Sequence, residues 1–90
     1  MIVAAIRHSV SDYDQWKAVF DGYPPTAHGA LFARVNRAVD DPNTIAVVAG
    51  FGTLEAANAF LGSPELKAKM EEAGVSSEPR IELYEEVAVI

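Results

Sequence analysis

Two almost uninterrupted apolar segments constrain the fold of this chain more than any other feature. Met1 to His8 is rich in Ile, Val and Ala, and Thr44 to Phe51 contains no charged residue. A strand with one wet face alternates apolar and polar residues, whereas a strand covered on both faces is apolar throughout. The sequence therefore predicts a sheet in which the first segment is covered on both faces and the second is central.

A helix signal follows the first strand. Ser11 can cap the helix, and two carboxylates stand in the first turn, near the positive end of the helix dipole. Aromatic residues then recur at helical spacing, which places them on one face: Tyr13, Trp16, Phe20 and Tyr23. Gly22, Pro24 and Pro25 end the helix, and a loop is predicted over Thr26 to Gly29.

The remaining elements follow from turn and capping residues. In chain order, the prediction is a strand over Ala30–Val39, a turn at Asp40–Asn43, the uncharged strand, a helix that buries Leu54, Ala57 and Leu61, a helix from Ser63 that buries Leu66, Met70 and Ala73, and a last strand over Arg80–Ile90.

The order βαββααβ predicts an α+β, ferredoxin-like fold. Right-handed crossovers place all helices on one face of a four-stranded antiparallel sheet, and residues 1–90 form a single domain. The other face of the sheet keeps a mixed set of side chains that needs a cover. By alternation, we expect this set to include Phe32, Arg34, Asn36, His8 and Tyr84.

Composition predicts that a second copy supplies this cover. Half of the 90 residues are hydrophobic, which is generous for so small a chain, so we expect a homodimer. The net charge of −6 argues against a nucleic-acid partner. RNA-recognition domains share a βαββαβ order, but they carry aromatic residues on their central strands, and Thr44 to Gly50 has none.

The cellular setting is predicted from what the sequence lacks. There is no cysteine, no apolar run of transmembrane length, and no leader, because Arg7 and His8 interrupt the apolar start. We therefore expect a cytoplasmic protein without membrane contact.

No phosphate-binding glycine loop, dinucleotide fingerprint or nucleophile elbow is present.

Several local strings resemble the small antibiotic-biosynthesis-monooxygenase-like proteins of the dimeric α/β-barrel superfamily. The strings are His8-x-Val10-x-Asp12-Tyr13-Asp14-x-Trp16-Lys17-x-x-Phe20-Asp21, Arg37-x-x-Asp40-Asp41-Pro42-Asn43, Ser63-Pro64-Glu65-Leu66-Lys67 and Glu71-x-Ala73-Gly74-Val75. The resemblance implies two sheets packed face to face as an eight-stranded barrel, with ligands between sheet and helices or towards the barrel interior. Members include cofactor-free oxygenases, cyclases, decarboxylases, haem-degrading enzymes and proteins without known activity.

Three polar residues are the candidates for catalysis. A neutral His8 at a strand end can take a proton from an acidic C–H or O–H near neutral pH; the competing interpretation is a hydrogen bond to Asp12 or Asp14. Arg34 and Asn36 share one strand face and can stabilise an enolate or carboxylate. The alternative is an intersubunit salt bridge to an acidic residue of the last strand: Glu82, Glu85 or Glu86.

The predicted ligand is a small aromatic or polyketide-like molecule in a cavity of about a few hundred Å³ between helix and sheet. Its predicted contacts are aromatic or imidazole side chains: Tyr13, Trp16, Phe20, His28, Phe32 and Tyr84. For the helical aromatics the alternative is core packing, and for His28 it is a solvated loop. Two histidines without suitably spaced carboxylates predict no metal site.

Two functions remain open on the sequence. The first is a cofactor-independent enzyme of monooxygenase, cyclase or isomerase type, with His8 as general base and Arg34 and Asn36 as oxyanion stabilisers. The second is a non-catalytic, ligand-binding or stress-associated dimer that has the pocket without the chemistry.

Overall fold

The computed structural model describes all 90 residues, Met1–Ile90. Four strands and three α-helices follow one another in the predicted order: β1 (Ile2–Ser9), α1 (Tyr13–Gly22), β2 (Phe32–Ala38), β3 (Asp41–Phe51), α2 (Leu54–Leu61), α3 (Pro64–Glu72) and β4 (Arg80–Glu85). The segment predicted as a loop after α1 contains a short 3₁₀ helix, Pro25–His28, which ends at Gly29 with a positive φ of 104°. No helix is both long and apolar enough to cross a membrane.

The strands form one antiparallel sheet in the order β2-β3-β1-β4. This is the ferredoxin-like α+β arrangement, so the predicted fold class is confirmed. β1 and β3 occupy the two central positions, and their register pairs Ala4 with Ala49 and Ile6 with Val47. The two apolar segments of the sequence are therefore the centre of the sheet.

One face of the sheet, here called the helix face, carries the core. Residues opposite each other on neighbouring strands point to the same side, so the register assigns every side chain to a face. On β1 and β3 the buried residues of this face alternate along each strand: Ala4, Ile6, His8, Ile45, Val47, Ala49 and Phe51. The helices pack against this layer.

The other side, here called the open face, has no cover in the single chain. Three cross-strand rows make up its centre: Tyr84–Val3–Gly50–Phe32, Glu82–Ala5–Val48–Arg34 and Arg80–Arg7–Ala46–Asn36. Phe32, Arg34, Asn36 and Tyr84 lie where the sequence predicts. The prediction for His8 is wrong, because His8 pairs with Ile45 and is buried on the helix face.

Gly50 lies in the first of these rows under an aromatic ring. A methyl group added at this position would collide with the Phe32 ring and approach Met1 Sδ. The Phe32 ring therefore lies against the backbone of a central strand at Gly50, which a side chain at position 50 would prevent.

Helix α1 begins one residue later than the cap predicted from sequence. Asp12, not Ser11, is the N-cap, and its Oδ2 accepts a hydrogen bond from the Gln15 amide at 3.0 Å. Ser11 Oγ instead donates to the carbonyl of Gly74 at 3.3 Å, because the chain there runs beside the end of α3. On the aromatic face of α1, Trp16 is buried as predicted, while Phe20 is only half-buried.

The β2–β3 hairpin turns earlier than predicted. Ala38 pairs with Asp41, so the turn residues are Val39 and Asp40 rather than the four from Asp40 to Asn43. Asp41 still bonds locally: its carboxylate accepts from Thr44 Oγ1 at 2.7 Å and from the Asn43 amide at 3.0 Å. These two hydrogen bonds, the Thr44 bond first, hold the pKa of Asp41 below its ordinary value.

The buried face of α2 and the end of β4 also differ from the sequence prediction. In α2 the buried residues are Ala57 and Phe60, while Leu54 is 51% exposed. The last strand ends at Glu85 because its partner β1 begins at Ile2, which pairs with Glu85. One more bond, from the Glu86 amide to the Met1 carbonyl, closes the pairing.

The face assignment of α2 is testable by comparing two truncations in the same helix. Phe60→Ala should lower the free energy of unfolding by about 3–5 kcal/mol, because it removes a buried ring that packs on Phe51. Leu54→Ala should cost less than about 1 kcal/mol, since that side chain is mostly in water. Urea unfolding measures both; equal losses would contradict the assignment.

Candidate functional site

A small cavity lies between the helix face of the sheet and the helices. Ile6 and Val47 form its floor, side chains of α1 form one wall, and Phe60, Leu66 and Met70 form the other. About 50 Å³ is open within it, which is room for a few water molecules and less than the few hundred Å³ expected from the sequence.

His8 is the polar group at the bottom of this cavity. Its side chain is 4% exposed, and neither Nδ1 nor Nε2 has a hydrogen-bond partner. Burial lowers the pKa of His8 below its ordinary value of 6.5, because the charged imidazolium loses its hydration. The predicted bond to Asp12 or Asp14 is absent. A neutral imidazole has one N–H donor and one acceptor nitrogen, and in His8 both nitrogens are buried.

An aromatic pair from α1 forms the wall beside His8. The Trp16 ring stacks on Phe20 with centroids 4.9 Å apart and an interplanar angle of 25°, and it lies 5.8 Å from the His8 ring. Both residues line the cavity; their predicted role in ligand binding stays a prediction. Tyr13 does not line it; the guanidinium of Arg37 lies 4.5 Å from its ring centroid instead.

Lys69 is the one charged residue that lines the cavity. It lies on α3, one position before Met70, and its side chain is 38% exposed. Nζ lies 3.5 Å from the carboxylate of Glu72, which is 62% exposed. Lys69 is therefore the one residue that gives the lining a formal charge, since burial keeps His8 neutral.

The other predicted catalytic residues are not with His8. Arg34 and Asn36 lie on the open face, on the far side of the sheet, together with Phe32 and Tyr84. Asn36 Nδ2 donates to the Ala46 carbonyl at 3.2 Å, and the Arg34 guanidinium lies 4.4 Å from the Phe32 ring centroid. The structure thus separates the predicted set into a cavity group and an open-face group.

His28 belongs to a third place. Its exposed ring stacks on Tyr23 with centroids 3.9 Å apart, at the side of an open surface concavity of about 250 Å³ that also includes Ser63 and Glu65. This concavity is larger, and both concavities are partly open to solvent. The cavity beside His8 is the better candidate site because its lining includes the buried polar group whose hydrogen bonds are unmade.

Sequence reasoning missed part of the cavity lining. Tyr23 continues the aromatic spacing of α1, and Met70 lies on the predicted buried stripe of α3. Both could therefore have been identified from the sequence as lining residues. No sequence pattern marked Lys69 as a lining residue, since a lysine next to a buried stripe is ordinary on an amphipathic helix. No group of three His, Asp or Glu side chains that could hold a metal ion is present.

The burial of His8 predicts a pH-dependent stability. The unfolded chain binds a proton below about pH 6.5, whereas folded His8 resists protonation, so unfolding becomes easier as pH falls from 6.5 towards the lower folded pKa. Urea unfolding at pH 8 and pH 5.5 should show this loss. His8→Gln should reduce the loss, whereas the matched change at the exposed histidine, His28→Gln, should leave it unaltered.

No protein-family model matches the sequence, and no curated protein is detectably similar to it. Solved structures are similar in fold. One is SnoaB, a cofactor-independent oxygenase from Streptomyces nogalater, with a TM-score of 0.77 at 16% identity over 99% of this chain and 95% of that one. Another is a conserved protein from Methanosarcina mazei Go1, with a TM-score of 0.75 at 11% identity over 92% and 89% of the two chains.

A third similar structure is named as a candidate antibiotic biosynthesis monooxygenase and comes from Caulobacter crescentus CB15. Its TM-score is 0.77 at 17% identity, over 97% of this chain and 90% of that one. The TM-scores establish a shared fold, and identities this low establish nothing beyond it. The chain therefore has the same fold as these solved structures, which include antibiotic-biosynthesis-monooxygenase-like proteins.

Proposed function

We propose that this protein is a cofactor-independent enzyme that acts on a small aromatic substrate, with His8 as general base. The observation that carries the proposal is the buried, neutral imidazole without partners in an apolar cavity. Leaving such a group unsatisfied costs free energy, so a protein that has one commonly uses it. The similarity in fold to a cofactor-independent oxygenase supports the reaction class.

His8 acts first on a proton. Its acceptor nitrogen takes the hydroxyl proton of a hydroxyarene held against the Trp16–Phe20 pair, which leaves an electron-rich phenolate. A neutral base is required for this step, and burial keeps His8 neutral at pH 7. The apolar walls exclude water from the anion, so the phenolate is more reducing there than in solution.

Oxygenation then needs dioxygen as co-substrate and no other oxidant. The phenolate transfers an electron to O₂, and the resulting pair forms a C–O bond at a ring carbon that bears hydrogen. Loss of that carbon's proton then breaks the O–O bond and releases water. In total, a phenol and O₂ give a quinone and H₂O, so the electrons come from the substrate.

His8→Ala tests this function. Turnover should fall by roughly 10²–10⁴-fold, because general-base catalysis contributes that much. Quinone absorbance and O₂ uptake measure the rate with one- and two-ring hydroxyarenes such as 1-naphthol. Asn36→Ala is the matched control on the open face and should retain the rate. Equal rates in the wild type and His8→Ala would remove His8 from the mechanism.

The second candidate is a ligand-binding protein without catalysis. The size of the cavity favours it, because about 50 Å³ leaves little room for two reactants together. In this case aromatic compounds would stabilise the protein towards heat, yet none would be turned over. Arg34 and Asn36, which the first hypothesis placed in an oxyanion site, have no role at this cavity in either case.

We infer further that the chain works as a cytoplasmic homodimer whose open faces pack together. Small apolar side chains fill the centre of the open face: Val3, Ala5, Ala46 and Val48. Aromatic and charged side chains surround them, among them Phe32, Arg34, Tyr84 and Glu82. An apolar centre with a polar rim is the ordinary composition of a protein interface.

A charge in the centre of the open face should prevent assembly. Val48→Asp buries an unpaired carboxylate in the proposed interface, so sedimentation at micromolar concentration should show a monomer where the wild type is a dimer. The interface should bury on the order of 2,000 Å² in total. Leu54→Asp places the same charge on the exposed surface of α2 and should remain dimeric. A monomeric wild type would contradict the inference.

A further inference from the structure

The charge of the cavity lining has the opposite sign to the net charge of the molecule. The chain has a net charge of −6, and a field of that sign repels anions from most of its surface. Yet the charged residue that lines the cavity is a lysine, and no carboxylate lines it. With His8 neutral, the lining therefore has a formal charge of +1.

The ion pair of Lys69 leaves this charge available. Nζ and Glu72 Oε2 are 3.5 Å apart, and both side chains are well exposed to solvent, at 38% and 62%. Such a pair contributes little free energy and is readily exchanged for another partner. A ligand carboxylate that arrives from the cavity side can therefore replace Glu72 as the partner of Lys69.

The other lining residues restrict the ligand to an aromatic body. Ten of the thirteen lining residues are hydrophobic, and the stacked rings of Trp16 and Phe20 form a flat wall. His8, at 4% exposure and without a hydrogen-bond partner, is the second polar residue of the lining. The open volume of about 50 Å³ holds only a few water molecules, so a one-ring ligand would extend from the cavity into its open side, and a larger ligand would extend further.

We propose that the cavity binds a small aromatic monoanion, whose ring packs on Trp16 and Phe20 and whose anionic group pairs with Lys69. This deepens the proposed function, on which it rests, by naming the substrate class as a one-ring aromatic acid rather than a multi-ring polyketide. Lys69 is then a specificity residue: it selects charge and orients the ring so that its far edge points at His8.

Fluorescence of Trp16 tests the proposal directly, because it is the only tryptophan in the chain and lines the cavity. Benzoate and its neutral isostere benzamide are titrated separately at constant ionic strength. Benzoate should bind on the order of tenfold more tightly than benzamide, since a charge-assisted hydrogen bond is the difference between them. Lys69→Gln should abolish the preference, and Lys69→Arg should restore it.

Lys67→Gln is the matched control, because this lysine is exposed on the same helix and does not line the cavity; it should retain the preference. Equal affinities in the wild type, a preference that survives Lys69→Gln, or no response of Trp16 to either compound would overturn the proposal. The outcome is independent of the proposed catalysis. His8→Ala, which should lose turnover, should still prefer benzoate to benzamide.

Discussion

The pairing of β1 with β3 is the constraint on which the rest of the molecule depends. These strands are central, and their register places Ala4, Ile6 and His8 against the helices. Side chains alternate along a strand, so a slip of one residue would move this whole set to the open face and bring Arg7 into the core. Burying Arg7 without a partner would cost far more than the slip gains, so one register is strongly favoured.

The register of β1 and β3 also places His8 in the core, where its imidazole loses its hydration. A protein core normally satisfies its polar groups, and His8 is the one buried side chain here with both of its polar atoms unpaired. A leucine at this position would pack without that cost. The buried imidazole therefore lowers the stability of the fold as pH falls below about 6.5. A buried group with unmade hydrogen bonds is a candidate for function.

Much of the fold could be predicted from the sequence because its strongest patterns are local. The uncharged strand before Phe51 and the aromatic spacing of α1 were sufficient for element order and fold class. The face of His8 was not predictable from Met1 to Ile6, since that run is apolar at every position and shows no alternation. Arg7 was the residue that indicated the face of His8. A charged side chain is expected on the open face, so the next residue along the strand is expected on the helix face.

Other differences come from contacts distant in sequence. The helix α2 has leucine and alanine at many positions, so its spacing fits more than one face, and packing against Phe51 selects Phe60 over Leu54. The end of β4 depends on where β1 begins, which no pattern in β4 reveals. The split of the candidate site, with Arg34 and Asn36 beyond the sheet, likewise follows from register between strands.

The contact between Gly50 and Phe32 has a consequence for how this sequence can diverge. Any side chain at position 50 meets the Phe32 ring, so the glycine is fixed for as long as the phenylalanine remains. Loss of the ring alone would leave the backbone of β3 bare. The two positions are therefore expected to change in a fixed order in descendants of this protein: a smaller residue replaces Phe32 first, and only then can position 50 accept a side chain.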